Sequence, residues 1–431
     1  MFNLTYEFKL KPTQSQIGMF EKWLETHRRV YNYALAERKD WYKSRSCQVN
    51  ACSLQSCYII PADAPRPTFA SQCKSLTGVR KDNEYLKRVN AQSLQQTLRR
   101  LEKAFVSMWE QNHGFPRFKK PGRMRSFSFP QLGQNPLLNG FVKLPVIGAV
   151  KMRQSRDIPD GGVVKQARVV KRASGWYVML TIQWDVSVPS ITPQGNAVGI
   201  DVGLISFVAT SNGLLIKRPR FFVDAERKLK LLQQRVSKKR LGSNNWKKAQ
   251  KKVALLYEYV ANCRKDWHRQ VSHQICDNVG MVFVEDLNLV GLSRGILGKH
   301  CLDAGFGQFF NILEQTCLKR DVYFQKVNSR KTSQICPSCS FETGKKELSE
   351  RTHICSNCGY TTDRDVAAAQ VVAIRGLATV GHTVKMHGTR VNSLESRRRK
   401  NPRTFRSRSV NSAMPGQLRR WQGLILMRRC C

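Results

Sequence analysis

The stretch Cys336–Gln370, CPSCSFETGKKELSERTHICSNCGYTTDRDVAAAQ, sets two CxxC pairs beside two aspartates and the start of an alanine-rich run. Cys336, Cys339, Cys355 and Cys358 follow the spacing C-x2-C-x15-C-x2-C. Four thiolates so spaced suit one tetrahedral Zn²⁺, and since they close all four positions the ion is structural. Ser340 stands where such a knuckle often has glycine, as Gly359 does after the second pair. A structural clip has no chemical need of the acids that follow it, so those acids call for a separate explanation.

Outward from this stretch, Asp363 and Asp365 lie where a helix begins. Asp201 interrupts the apolar run AVGIDVGL, and Glu285 closes the strand pattern MVFVE. An acid at a strand end commonly caps a helix or faces solvent. Asp201 lies inside a strand, where an unpaired buried carboxylate is expensive. Its partner is either a Lys or Arg, or a cation shared with other carboxylates. Hard oxygen ligands from separate strands suit Mg²⁺. Two such ions about 3.5–4 Å apart can activate water and stabilise the leaving oxygen of a phosphodiester. A hairpin carrying Asp, a long helical insert, a strand ending in Glu and a helix carrying Asp follow one another in RNase H-like order.

The chain of 431 residues carries 73 Lys and Arg against 30 Asp and Glu, a net charge of +43. An excess spread along the whole chain implies a polyanionic partner. A membrane is not expected, because no apolar run reaches about 20 residues. No signal peptide is expected either, as Met1 leads directly into a strand pattern. Of 14 cysteines, four have metal-site spacing and most others are scattered, which fits a reducing, cytoplasmic and nucleoid-associated protein. Cys47, Cys52 and Cys57 lack knuckle spacing and read as part of a polar insertion.

At the N-terminus Phe2, Leu4, Tyr6, Phe8 and Leu10 alternate as one face of a strand. Thr13 and Gln16 have capping-box spacing. Ile17, Phe20, Leu24, His27 and Tyr31 then form a helical stripe in which His27 reads as a core residue. Leu94, Leu98, Leu101, Phe105 and Met108 form a second stripe, with Arg99, Arg100 and Lys103 assigned to its outer side. The loop GFPRFKKPGRMRSFSFP interleaves aromatics with Arg117, Lys119 and Lys120, either to stack bases and hold phosphates or to pack its Phe residues inward. Residues 125–187 read as a small β-barrel or sandwich that takes in the N-terminal strand. Residues 224–275 are helical, broken at LGSNN. There Lys238, Lys239, Arg240, Lys247, Lys248 and Lys251 crowd together without mixed signs, as on a nucleic-acid-facing helix. Residues 381–431 are Arg- and Ser-rich and read as a basic disordered tail.

These motifs together resemble the TnpB family, insertion-sequence-encoded RNA-guided DNA endonucleases related to type V CRISPR effectors. The residues that carry the resemblance are YEFKLKPTQSQ, HRRVYNYAL, GFPRFKK, ASGWYVMLTI, GIDVG, VEDLNL, TSQICPSC and CSNCGYTTDRDVAAAQ, and it extends to about residue 385. The resemblance implies an α+β multidomain protein. A β-barrel wedge domain would span 1–12 and 113–190, and a helical recognition domain 13–112. An RNase H-like (RuvC) nuclease domain would span 191–332 and 360–380, with a zinc ribbon inserted at 333–359. It further implies a catalytic triad of Asp201, Glu285 and Asp365 holding two Mg²⁺ or Mn²⁺. Asp365 is selected over Asp363 because the family's acid stands two residues before an Asn-Ala-Ala. Here Ala367 occupies the Asn position. The implied partners are a guide RNA and target double-stranded DNA, with the protein a monomer in that complex. Alternatives are a nuclease-inactive RNA-guided repressor and a zinc-ribbon transposition accessory protein.

Overall fold

The structure, a computed structural model, describes residues 2–46, 60–61, 63–186, 190–347 and 349–381. Cys47, Cys52, Cys57 and the tail beyond Gly381 lie outside the described residues.

The alternating N-terminal segment forms β1 (Phe2–Leu10), with Tyr6, Phe8 and Leu10 turned into the core. The described residues of the first half continue with α1 (Gln14–Ser46), α2 (Phe69–Asp82), α3 (Glu84–Lys87) and α4 (Ala91–Glu110). Six strands follow: β2 (Ser126–Phe129), β3 (Leu137–Leu138), β4 (Phe141–Leu144), β5 (Gly148–Arg153), β6 (Val163–Arg172) and β7 (Gly175–Trp184). They and β1 make a seven-stranded sheet in the order β2-β6-β7-β1-β5-β4-β3. β1 is thus central, paired antiparallel with β7 from Phe2↔Trp184 to Lys9↔Tyr177. Every second residue of β7 is buried, the period expected of a strand with one face on a core.

Thr13 and Gln16 start α1 by exchanging side-chain bonds with each other's backbone N–H, at 3.1 and 3.3 Å. Phe20, Leu24, His27 and Tyr31 are buried against Leu94, Leu98, Leu101 and Phe105 of α4 in one hydrophobic cluster. His27 shares hydrogen bonds with Thr97 Oγ1 at 2.6 Å and Ser93 Oγ at 3.2 Å, and stacks on Phe127. Burial holds its pKa down to about 3, so it is a neutral core residue. One expectation for α4 is corrected here. Arg100 does not face outward; its guanidinium donates to Ser126 Oγ at 2.9 Å and ties α4 to β2.

The second half contains β8 (Ala197–Asp201), β9 (Ser206–Thr210) and β10 (Leu215–Lys217), then α5 (Phe221–Ser237) and α6 (Asn244–Ile275). After these come β11 (Met281–Asp286), α7 (Leu289–Arg294), α8 (Gly298–Ala304), α9 (Phe306–Lys319) and β12 (Tyr323–Asn328). The five strands form one sheet in the order β10-β9-β8-β11-β12. β8, β11 and β12 are parallel, while β8, β9 and β10 form an antiparallel meander.

Two short strands, β13 (Thr352–Ile354) and β14 (Thr361–Asp363), pair on either side of the second cysteine knuckle, and β14 leads into the final described helix, α10 (Arg364–Thr379). α10 lies directly on β8 and β11. A Cβ on Gly199 would come within 2.1 Å of Ala369 O, and one on Gly376 within 2.1 Å of the Phe283 ring. Among the described residues no helix is long and apolar enough to cross a membrane.

Candidate functional site

Asp201 is the last residue of β8, and Glu285 stands beside it near the end of β11, since Ile200 pairs with Val284 in a parallel register. Parallel neighbours in register present side chains to the same sheet face, with strands about 4.8 Å apart. That face is the one α10 covers, because Gly199 and Phe283, two residues earlier on each strand, meet its Ala369 and Gly376. The first turn of α10 brings Asp365 to the same strand ends. Asp201, Glu285 and Asp365 line one cleft with Thr332, Ser333, Arg351, Arg364 and Ala368. It opens at the carboxyl ends of two strands whose chains diverge to opposite sides, where open α/β sheets bind ligands.

Asp363 does a different job. Its Oδ1 accepts from Asp365 N at 2.8 Å and Val366 N at 3.3 Å, capping α10. That leaves Asp365, not Asp363, to face the cleft. Ala367 is buried at 2% exposure; the alanine that lines the cleft is Ala368.

Burial pushes the Asp201 carboxyl up to about 8, and the charges of Glu285 and Asp365 add to the shift, against Val202 N–H and Arg364. Burial likewise raises Glu285, opposed by the Thr332 hydroxyl and by Arg375. Buried like charges destabilise one another unless a proton or a cation intervenes. Arg364 offsets the set only in part, as its guanidinium is held by Glu347 O at 2.6 Å and Glu350 O at 3.4 Å and forms no ion pair with the three acids. Thr332, Ser333, Arg351 and Arg364 were not singled out by sequence. Only the motif TSQ ahead of Cys336 marks the first two, and it carries no chemistry of its own.

The four cysteines converge as their spacing implies. Their sulfurs all lie within 4.8 Å of one another. Cys336 and Cys358 are 3.7 Å apart, and Cys339 and Cys355 3.6 Å. A tetrahedral ion with Zn–S bonds of about 2.3 Å sets its sulfurs about 3.8 Å apart, whereas a disulfide needs about 2.05 Å. The donor set therefore fits zinc. Among the described residues no second group of three or more His, Cys, Asp or Glu side chains is gathered as tightly. The two knuckles repeat one backbone pattern: Ser340 N–H donates to Cys336 O and Gly359 N–H to Cys355 O, each at 2.9 Å. The second knuckle runs through β14 into Asp363 and α10, and Tyr360 OH donates to Gln370 on that helix at 2.9 Å. The clip thus orders the segment that delivers Asp365.

Lys238, Lys239, Arg240, Lys247, Lys248 and Lys251 are all exposed, on the α5–α6 turn and the first turns of α6. None joins an ion pair among the described residues. Arg99, Arg117 and Lys120 are exposed as well, on a different half of the fold. Lys119 is half-buried, its backbone bonded to Asn32 on α1. In that loop Phe115 packs edge-on against Phe105 and Tyr42, while Phe118 keeps 46% of its surface exposed.

Three family models match the chain: a "Probable transposase" model at residues 181–294, a "Cas12f1-like, TNB domain" model at 306–372 and a "Helix-turn-helix domain" model at 1–47. The described part of the last region is β1 and the single helix α1. Among curated relatives, "Putative RNA-guided DNA endonuclease InsQ" of Escherichia coli (strain K12) is 28% identical over 404 residues, 90% of this chain and 94% of the relative. A "Putative RNA-guided DNA endonuclease" of Streptomyces pristinaespiralis is 28% identical over 86% of this chain and 89% of its own length. "TnpB-like protein L79" of Acanthamoeba polyphaga mimivirus is 25% identical over 46% of this chain and 43% of its own. Among solved structures, a Cas12f1–sgRNA–target DNA complex aligns over 86% of this chain and 99% of that one, at 17% identity and a TM-score of 0.32. The resemblance to TnpB proteins carried by the motifs holds.

Proposed function

We propose that this chain is an RNA-guided DNA endonuclease whose cleavage centre is the cleft of Asp201, Glu285 and Asp365. The observation that carries the reading is the convergence of three acids from β8, β11 and α10 on one cleft, with Asp201 held near pKa 8 by burial and by the other two. A buried carboxylate pushed up by burial and by two neighbouring acids, with Arg364 opposing that only in part, suits a bound metal. The strand order, with Asp201 in the first strand and Glu285 in the fourth, supports an RNase H-like (RuvC) assignment for residues 191–332 and 360–380. Two divalent cations bound there, Mg²⁺ or Mn²⁺, would stabilise the phosphodiester's developing charge and activate a water.

The protein's own residues would do the rest. Three acids that reach one cleft from separate elements suit ligands shared between two ions. Arg351 and Arg364 give the rim of the cleft a positive charge for the phosphate backbone. Cys336, Cys339, Cys355 and Cys358 would hold zinc and keep the entry to α10 in place. The seven-stranded sheet and the helices of the first half would form the wedge and recognition surfaces for a guide RNA. The unpaired cations at the start of α6 offer a further phosphate track. Recognition would then divide as in other guided systems, the protein reading a short adjacent motif and the guide pairing with the remainder.

A plasmid cleavage assay on the copurified protein–RNA complex tests this. Targets matching the guide carry a randomised flanking motif, with Mg²⁺ present and Asp201→Ala in parallel. Motif-dependent double-strand breaks that vanish in the variant are expected. Motif-dependent binding without breaks in either protein would overturn the nuclease reading in favour of a guided repressor.

A further inference from the structure

Thr332 enters the acid cleft from the side of the cysteine clip. Its hydroxyl donates to Glu285 Oε1, and both residues are 6% exposed. A hydroxyl bonded to a buried carboxylate fixes its orientation and occupies one of its oxygens, leaving the other for a ligand. The bond spans 47 residues of sequence and joins the end of β11 to the 3-10 turn Thr332–Gln334.

That turn belongs to the first knuckle. Thr343 N–H donates to Gln334 O at 2.8 Å, and Cys336 N–H to Phe341 O at 2.9 Å, so residues 334–343 close a loop around two zinc ligands. Just before Thr332, Lys331 adopts a left-handed φ of +58°, and its ammonium pairs with Glu342 in the same loop at 2.5 Å. The backbone on both sides of Thr332 is thereby tied to the clip. On the β11 side, Ser329 Oγ donates to Asp286 O at 3.1 Å.

We propose that Thr332 is a positioning residue through which the zinc clip holds Glu285 ready for a divalent cation, so that filling the cysteine site strengthens cation binding in the acid cleft. The proposal rests on the reading of the acids as cation ligands. It gives the clip a thermodynamic role at the cleft beyond ordering the chain, and the coupling is reciprocal, as any linkage between two binding sites must be.

Mn²⁺ binding to the full-length protein, followed by electron paramagnetic resonance of the free ion, tests it without reference to cleavage. Thr332→Val preserves side-chain shape and removes the donor, whereas Thr332→Ser keeps it. Thr332→Val is expected to bind Mn²⁺ about tenfold more weakly, within the range for lost outer hydrogen bonds at metal sites. Zinc content should be unchanged, and Thr332→Ser should restore affinity. Equal Mn²⁺ affinity in Thr332→Val and wild type would overturn the proposal. Should Thr332→Val fail to fold, wild-type protein stripped of zinc and cleared of chelator replaces it. There too a loss of Mn²⁺ affinity is expected, and none would overturn the linkage. Asp201→Ala separates the two ideas: if it binds Mn²⁺ as tightly as wild type, the reading of the acids fails, whatever Thr332 does.

Discussion

The two knuckles differ most at a single residue. Ser340 and Gly359 fill equivalent positions with φ of +60° and +70°, the left-handed region where a side chain costs about 1–2 kcal/mol and glycine almost nothing. The strain at Ser340 is visible in the sequence, since the second knuckle supplies the glycine that the first lacks. Ser340→Gly should therefore stabilise the clip by about 1 kcal/mol, retaining zinc about fivefold better in competition with a chelator. Gly359→Ala should do the opposite by a similar amount, because no atom within 4 Å would obstruct the added Cβ and only backbone strain is felt. Equal zinc retention in Ser340→Gly and wild type would mean the first knuckle carries no such strain. The same scale separates the two acids of DRD. Spacing alone leaves both open, and the hydrogen bonds of Asp363 to the start of α10 commit it to capping.

At the scale of elements, the acids meet because α10 approaches β8 more closely than any side chain would permit. Gly199 allows this: a Cβ there would sit 2.1 Å from Ala369 O and 2.4 Å from Ala373 N, both main-chain atoms of the helix. Backbone cannot rotate aside as a side chain can, so Gly199→Ala must push α10, and Asp365 with it, away from Asp201. We expect a loss of about 3 kcal/mol or more, at the upper end for overpacked cores, read as a lower melting temperature together with weakened Mn²⁺ binding. A variant that melts and binds like wild type would mean that the helix has room to spare. What the sequence disclosed follows the same logic of distance. β1, the capping box of α1, the stripes of α1 and α4, the spacing within each CxxC pair and Glu285 near a strand end are patterns within a few residues, and they could be read directly, whereas Asp201, expected inside a strand, instead closes β8. Arg100, expected outside, turns to Ser126, and Thr332 reaches Glu285 from 47 residues away. Contacts of that kind are decided by packing, and no local period encodes them.

At the scale of the whole molecule, the apolar clusters do not cross between halves. One is built from residues between Phe2 and Trp184, the others from residues between Ala197 and Val380. What crosses instead is polar. The β6–β7 turn meets α6 where Ser174 N–H donates to Glu258 Oε2 at 3.0 Å and Ser174 Oγ donates to Oε1. Further along α6, Lys265 lies within electrostatic reach of Glu7 and Arg172 on the sheet. Hydrogen bonds to a carboxylate contribute about 1.5–3 kcal/mol, which is small beside either core yet large enough to couple them. A chain of net charge +43 opposes that coupling by self-repulsion. Glu258→Ala removes the acceptor and an acid together while leaving each core's own contacts intact. Scanning calorimetry should then resolve two transitions where the wild type gives overlapping ones, the half containing α6 and α10 separating from the seven-stranded sheet. Bound RNA should draw the transitions together again in both proteins by neutralising the repulsion. If Glu258→Ala unfolds with the wild-type profile, the halves are held by something other than this latch, and the cleft and the seven-stranded sheet are coupled more firmly than its hydrogen bonds imply.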